Sequence, residues 1–115
     1  MKRRFDFYLK DMLQSINRIE EYLEGHDFKS FTENYLVSDA VVRNFEVIGE
    51  AAKNIPSEIK SKYILMPWRH MYGLRNIISH QYFGIDYHSL WQIAKEELPE
   101  NKKILLEILK NEGIE

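Results

Sequence analysis

The segment from Pro67 to Tyr82 concentrates the side chains that could do chemistry. Arg75, His80 and Tyr82 follow one another in it, and the segment holds no acidic residue. An arginine can bind a phosphate through two parallel hydrogen bonds, and a histidine, whose unperturbed pKa is about 6.5, can exchange a proton near neutral pH. Together these residue types indicate a surface that binds anions and could act on a phosphate.

A helical projection gathers the polar residues of this segment on one side. The core side carries Met71, Leu74, Ile77 and Ile78. The remaining face carries, in angular order, Arg75, Tyr82, Ser79, Tyr72, Asn76 and His80. Tyr72, Asn76 and Ser79 are therefore candidates for supporting the site or binding its substrate.

Each of these residues also has an ordinary structural interpretation. An arginine and a histidine five residues apart occur often enough by chance that the spacing alone is weak evidence for a site. Arg75 could pair with a nearby carboxylate, and His80 could cap a helix end. The rings of Trp68 and Tyr72 could stack on nucleic-acid bases, or they could be ordinary packing at a dimer seam.

The elements that must position these side chains are helices, because apolar residues recur three or four apart almost throughout and no run alternates as a strand would. Gly25, Gly84 and Pro56 supply stops, Pro67 and Pro99 supply helix starts, and Asp27 and Asp86 supply caps. The sequence predicts an all-α, antiparallel bundle of four to five helices with short connections. The predicted helical segments are Arg3–Leu23, a short one after Asp27, Leu36–Asn54, Ser57–Tyr63, Pro67–Tyr82, Tyr87–Leu98 and Pro99–Asn111.

The helix predicted from Leu36 to Asn54 has the widest apolar face and should be the centre of the bundle. Asn44 falls inside its apolar stripe and needs a partner or an interface, because an unpaired buried amide costs about 1–3 kcal/mol. Gly49, which costs up to about 1 kcal/mol relative to alanine in a helix, indicates close approach by another backbone. Glu50 lies on the opposite, mixed-charge face, which is typical of a solvated surface but also permits a supporting role.

Composition excludes several classes of protein. The chain has 115 residues, which fits one domain over 1–115, and it has no cysteine, so disulfides, thiolate metal sites and thiol nucleophiles are excluded. Its net charge of −2 means that any RNA contact relies on a local basic patch. No apolar stretch approaches the roughly 20 residues of a membrane helix, and no signal peptide is evident. We expect a cytoplasmic protein without membrane contact.

A metal site is not expected either. His26, His70 and His88 show no metal-ligand spacing with one another, and cysteine ligands are absent. No glycine-rich phosphate loop occurs. We therefore predict no metal and no cofactor.

Several motifs in order resemble one known family. The segment Gly73-Leu74-Arg75-Asn76-Ile77-Ile78-Ser79-His80-Gln81-Tyr82-Phe83-Gly84 carries an arginine, four residues, a histidine, one residue and a tyrosine. This pattern resembles the signature of the HepT-like branch of the HEPN superfamily. The segment from Asp39 to Lys53, with its Gly49-Glu50-Ala51 core, resembles that family's central helix, and the likeness covers nearly the whole chain.

The resemblance implies a function and a set of partners. It implies a homodimeric, metal-independent endoribonuclease that acts as the toxin of a toxin–antitoxin pair, with Arg75 and His80 as catalytic residues. The antitoxin would be a minimal nucleotidyltransferase of the MntA type, which attaches AMP to Tyr82, and the two proteins could form a larger complex. RNA would be cleaved by attack of its 2′-hydroxyl, leaving a 2′,3′-cyclic phosphate and a 5′-hydroxyl.

Helix geometry gives a physical reason for the dimer. On an ideal helix Arg75 and His80 point about 140° apart, so one chain presents them poorly to a single phosphate. Two copies related by a twofold axis would line one cleft with two of each residue. The alternative to the endoribonuclease is a non-catalytic helical module that uses the same face to bind a nucleotide or a nucleotidyltransferase partner.

Overall fold

All regular secondary structure is helical in the computed structural model, which describes residues 4–78 and 84–114. The predicted antiparallel helical bundle is confirmed. Its α-helices in this part of the chain are α1 (Phe5–Leu23), α2 (Phe28–Glu33), α3 (Tyr35–Lys53), α4 (Ser57–Lys62), α5 (Trp68–Ile78), α6 (Tyr87–Gln92) and α7 (Leu98–Asn111). None of these helices combines the length and the apolar character that a bilayer span requires.

The helix ends lie where the capping residues predict them. The Asp27 carboxylate accepts the backbone N–H of Ser30 at 2.8 Å, and the Asp86 carboxylate accepts that of Ser89 at 3.1 Å. The bond from Ser30 holds the pKa of Asp27 below its usual value, because it stabilises the charged form. The pKa of Asp86 is lowered mainly by the Ser89 hydroxyl, which donates to its carboxylate at 2.7 Å, and then by the Ser89 N–H. Gly25 follows the end of α1 with a φ of +79°, a conformation that glycine adopts without steric cost.

The region around Pro99 differs from the prediction of two separate helices. A π-helical segment, Ile93–Glu97, joins α6 to α7 into one helical path. Pro99 has no N–H and so cannot donate to the carbonyl of Lys95 four residues earlier. The N–H of Leu98 instead reaches back five residues to the carbonyl of Ile93, so the wider π turn accommodates the proline without ending the helix.

The central helix of the bundle is α3, as predicted, because it packs against both α1 and α5. The core includes its buried residues Val41, Phe45, Ile48 and Ala52, and on α1 Leu9, Met12, Ile16, Ile19 and Leu23. Asn44 is also buried, and its amide donates to the carbonyl of Ala40 at 2.9 Å. The partner that this buried amide requires is therefore a backbone group of its own helix.

The connection before α5 is anchored to the end of α7. The carboxylate of Glu112 accepts hydrogen bonds from the Lys62 ammonium, at 2.8 Å, and from the Tyr63 hydroxyl. Both bonds favour the charged carboxylate and lower the pKa of Glu112, while they raise the pKa values of Lys62 and Tyr63. Trp68 is buried and its indole N–H donates to the Tyr63 carbonyl at 3.0 Å, which fixes the start of α5.

Candidate functional site

Helices α3 and α5 approach each other closely at Gly49. A Cβ atom placed on Gly49 would lie 2.3 Å from Cγ of Arg75 and 3.2 Å from the carbonyl oxygen of Tyr72. Only a residue without a side chain leaves room for both. The close approach that the sequence predicted at Gly49 is therefore confirmed, and what occupies the space is the stem of Arg75 together with the backbone of α5.

Arg75 is held by the residue that follows this glycine. Its guanidinium Nη1 lies 2.9 Å from Oε1 of Glu50, and the two side chains are 37% and 53% exposed. An ion pair with this exposure adds little to stability, because water screens it. Its consequence is geometric: the stem of Arg75 lies over Gly49, and the guanidinium lies against Glu50. The carboxylate partner proposed as the ordinary interpretation of Arg75 thus exists, and it is Glu50.

Tyr72 and Asn76 occupy the exposed side of α5 next to Arg75. The Tyr72 side chain is 42% exposed, and its ring centroid lies 5.8 Å from Cζ of Arg75, within the range of a cation–π contact. Asn76 is exposed. Both predicted supporting residues therefore lie where a ligand of Arg75 can reach them. Trp68 does not, because it is buried, so packing rather than base stacking is its role.

A groove of about 340 Å³ runs beside Arg75 between α1, α3 and α5. Two arginines and three carboxylates contribute to it, so its walls are of mixed charge. An anion that enters the groove must therefore compete with Glu50 for Arg75. The lining residues are Tyr8, Asp11, Arg43, Glu46, Val47, Glu50, Ala51, Asn54 and Arg75.

Tyr8 and Asp11 of α1 are among the lining residues that sequence reasoning missed. They lie one position before the buried residues Leu9 and Met12 of α1, on the border of its apolar stripe. A polar pair three residues apart at such a border is the signal that could have found them. The sequence does not show, however, that this side of α1 lies next to Arg75.

Three of the predicted site residues, Ser79, His80 and Tyr82, lie outside the described residues. Their places in the site remain predictions from the sequence. Among the described residues, the structure brings Glu50 and Tyr72 into contact with Arg75. Asn76 is exposed and follows Arg75 on α5.

The remaining histidines have structural partners. His26 Nδ1 lies 2.9 Å from the Ser30 hydroxyl, and His70 Nε2 lies 2.8 Å from the Glu97 carboxylate. His88 stacks on Phe28 with ring centroids 4.2 Å apart. Residues 4–78 and 84–114 contain no group of three or more potential ligands that could hold a metal ion.

Substitution of Gly49 tests the contact that positions Arg75. Gly49→Ala is expected to lower the free energy of unfolding by about 1–3 kcal/mol, because the new methyl group would overlap the Arg75 stem and press on the α5 backbone. Chemical denaturation measures this. Gly73→Ala is the matched control, since nothing lies within 4 Å of its added Cβ, and alanine there should stabilise α5 by about 0.5–1 kcal/mol.

The same experiment separates steric overlap from a general effect of substitution in α3. Combining Gly49→Ala with Arg75→Ala should recover part of the loss, because Cγ and Cδ of Arg75 are then gone. A Gly49→Ala variant as stable as Gly73→Ala would mean that the contact does not constrain Arg75.

Comparison with known proteins adds an independent line of evidence. Residues 12–108 match the model of a family described as ribonuclease HepT-like. The chain is 43% identical to a protein of Methanocaldococcus jannaschii named "Putative RNase", over 89% of this chain and 94% of that one. It is 40% identical to "Probable ribonuclease HepT" of Thermococcus cleftensis, over 89% of this chain and 93% of that one.

A third relative, also named "Putative RNase", comes from Caldanaerobacter subterraneus subsp. tengcongensis. It is 37% identical over 91% of this chain and 94% of its own length. No solved structure matches the chain.

Proposed function

This chain belongs to the ribonuclease HepT-like family, and we propose that it is a metal-independent endoribonuclease with Arg75 and His80 as its catalytic residues. Three relatives whose names describe ribonucleases, each similar over most of both chains, support the reaction class. Within the molecule, the position of Arg75 is the observation that supports the proposal. Its guanidinium is fixed by Glu50 and Tyr72 and remains more than one-third exposed beside a groove.

The reaction that suits these residues is an internal transfer at an RNA phosphate. The 2′-oxygen attacks the adjacent phosphorus, the bond to the 5′-oxygen breaks, and the products are a 2′,3′-cyclic phosphate and a 5′-hydroxyl. His80 takes the 2′-hydroxyl proton or protonates the departing 5′-oxygen. The Arg75 guanidinium stabilises the extra negative charge on the phosphate oxygens in the transition state. No metal is needed for either role.

A non-catalytic module remains the alternative function, and the mixed charge of the groove favours it. Glu50 pairs with Nη1 of Arg75, and Asp11 and Glu46 add two further carboxylates to the groove. A groove with this mixed charge suits a nucleotide or a partner protein better than a long polyanion. Purified protein that binds RNA or a nucleotide without cleaving either would support this alternative.

A cleavage assay with and without chelator tests the endoribonuclease. Purified protein should cleave RNA at the same rate in EDTA as in its absence, and the products should carry a 2′,3′-cyclic phosphate, which mass spectrometry identifies. Added Mg²⁺ or Zn²⁺ should not raise the rate, because Arg75 supplies the positive charge that a metal would otherwise provide. Loss of cleavage in EDTA that added metal restores would overturn the mechanism.

Glu50 is proposed as a positioning residue for Arg75. Glu50→Gln keeps the shape of the side chain but removes its charge. The Arg75 guanidinium should then be less well oriented, and an RNA phosphate should compete less with residue 50 for it. The expected result is a kcat about two- to fivefold lower with an unchanged or lower KM, since exposed ion pairs are worth up to about 1 kcal/mol. Steady-state kinetics measures both constants.

Glu46→Gln is the matched control for this change. Glu46 is exposed, lines the same groove four residues earlier on α3, and forms no ion pair with Arg75. Its substitution changes the charge of the groove without changing the support of Arg75. Equal kinetic effects of the two substitutions would show that only groove charge matters and that Glu50 does not position Arg75.

The wider role proposed for the chain is that of a toxin in a toxin–antitoxin pair. Its antitoxin would be a minimal nucleotidyltransferase that attaches AMP to Tyr82. The active form would be a homodimer, whose twofold axis brings Arg75 of one subunit into the cleft with His80 of the other. A larger complex with the antitoxin would then present both modified tyrosines. The cytoplasm is the compartment in which such a pair would act.

A further inference from the structure

The exposed face of α5 carries a second arginine beyond the site already described. Arg69 precedes Arg75 by six residues, which separates their Cα atoms by about 9 Å along the helix axis. Tyr72 lies midway between them, and its ring is 42% exposed. Arg69, Tyr72 and Asn76 follow the three- and four-residue spacing of one helix face, and all three are exposed. This face of α5 therefore presents a cation, a ring and an amide in a row, with Arg75 beside them.

A shallow depression at the start of α5 adds a third cation. The residues that line it are Lys60, Ile64, Pro67, Trp68, Arg69 and His70. His70 is paired with Glu97, whereas Lys60 and Arg69 have no ion-pair partner among residues 4–78 and 84–114. α5 itself contributes no acidic residue to this surface, and the Glu97 carboxylate beside it is held by His70.

The floor of this depression is held in place. The buried Trp68 donates to the Tyr63 carbonyl, and Tyr63 is in turn hydrogen-bonded to Glu112 at the end of α7. Ile64, at 80% exposure, and Pro67 add an apolar surface beside Lys60 and Arg69. The surface thus combines fixed geometry, positive charge and apolar area. Protein surfaces that bind single-stranded nucleic acid combine positive charge with rings on which bases stack, and the ring of Tyr72 lies next on α5.

We propose that Arg69 and Lys60 bind phosphates of an RNA strand that runs from the Arg75 site along α5, with one of its bases on the ring of Tyr72. The proposal rests on the endoribonuclease function and defines its substrate as a single-stranded segment several nucleotides long. Arg69 and Arg75 are too far apart along the helix to bind one phosphate, so they bind different ones. With a net charge of −2, the chain depends on such a local patch to hold RNA.

Binding measurements on an inactive chain test the path of the strand. His80→Ala protein is titrated with fluorescent single-stranded RNA of about 12 nucleotides and with a dinucleotide, with and without Arg69→Gln or Lys60→Gln. For the longer RNA each substitution should raise Kd about three- to tenfold and reduce the salt dependence of log K by about 0.7. Arg18→Gln on α1 and Lys29→Gln on α2 are matched controls at exposed positions, and both should leave Kd unchanged.

The outcomes separate this proposal from the function on which it rests. A dinucleotide reaches only the Arg75 site, so its binding should not depend on Arg69. Equal Kd values for the Arg69→Gln, Lys60→Gln and control variants with the longer RNA would overturn the proposed path, even if the protein with His80 intact cleaves RNA. If RNA binding depends on Arg69 but the protein with His80 intact cleaves no RNA, the proposed path of the strand stands and the endoribonuclease function is overturned.

Competition measurements would show whether this surface binds an acidic protein instead of RNA. An acidic peptide of the same charge as the RNA should compete poorly, because it offers no bases for Tyr72. Competition as strong as that of unlabelled RNA would assign the depression to an acidic protein partner and overturn the proposal.

Discussion

Arg75→Ala and His80→Ala are each expected to lower the rate of RNA cleavage by about 100-fold or more. Removal of a general acid or base typically costs about 10²–10⁴ in rate, and removal of a group that stabilises transition-state charge costs about 10²–10³. Arg75 is more than one-third exposed and its ion pair with Glu50 is screened, so its loss should change the free energy of unfolding by less than about 1 kcal/mol. Single-turnover cleavage and chemical denaturation measure the two effects separately.

Two further substitutions sharpen the result for Arg75. Arg75→Lys keeps the charge but not the planar fork that binds a phosphate bidentately, so it should recover only part of the lost activity. Arg18→Ala removes an exposed arginine from α1, away from the groove, and should retain full activity. If Arg75→Ala unfolds the chain, or if it cleaves as fast as Arg18→Ala, Arg75 has a structural role rather than a catalytic one.

The fold was largely predictable because its signals are local. The spacing of apolar residues on α1 and α3 reports directly which side of each helix is buried, and Asp27 and Asp86 satisfy N–H groups only three residues away. The exception lies at Pro99. Proline usually starts or ends a helix, whereas here the π turn before the buried Leu98 accommodates Pro99 and the helical path continues.

The site was less predictable because its contacts join residues far apart in sequence. The sequence could place Arg75 on the polar face of α5 and could mark Gly49 as a point of close approach. It could not pair Arg75 with Glu50, because that pair depends on the rotation of α5 against α3. For the same reason Tyr8 and Asp11 of α1 were missed as neighbours of Arg75 in the groove.

The charge of the groove also bears on the proposed dimer. In a single chain, three carboxylates and two arginines line the groove beside Arg75, a charge balance that is unfavourable for an RNA phosphate. A second copy of α5, which carries no acidic residue, would bring two further arginines toward the cleft. The proposed twofold arrangement therefore changes the electrostatic balance of the site as well as completing its catalytic pair.

AMP attached to Tyr82 should silence cleavage in proportion to the fraction of chains modified. Tyr82 follows Arg75 by seven residues, so on a continuous helix the two side chains point within about 20° of one another. In the transfer, the phenol oxygen attacks the α-phosphorus of ATP and pyrophosphate leaves. The attached group then adds bulk and at least one negative charge beside Arg75, where the RNA phosphate must bind. Co-expression with the proposed nucleotidyltransferase should add one or more AMP masses per chain.

Tyr82→Phe is the matched variant for this prediction, because it removes only the hydroxyl that accepts AMP. The variant should remain folded, cleave RNA, gain no AMP mass and escape inhibition by the nucleotidyltransferase and ATP. Tyr72→Phe, which removes the hydroxyl of the tyrosine whose ring contacts Arg75, should still be modified and silenced. If Tyr82→Phe protein still gains AMP and loses activity, the acceptor is another residue. If it escapes modification but is silenced nonetheless, inhibition acts through binding of the partner rather than through charge placed next to Arg75.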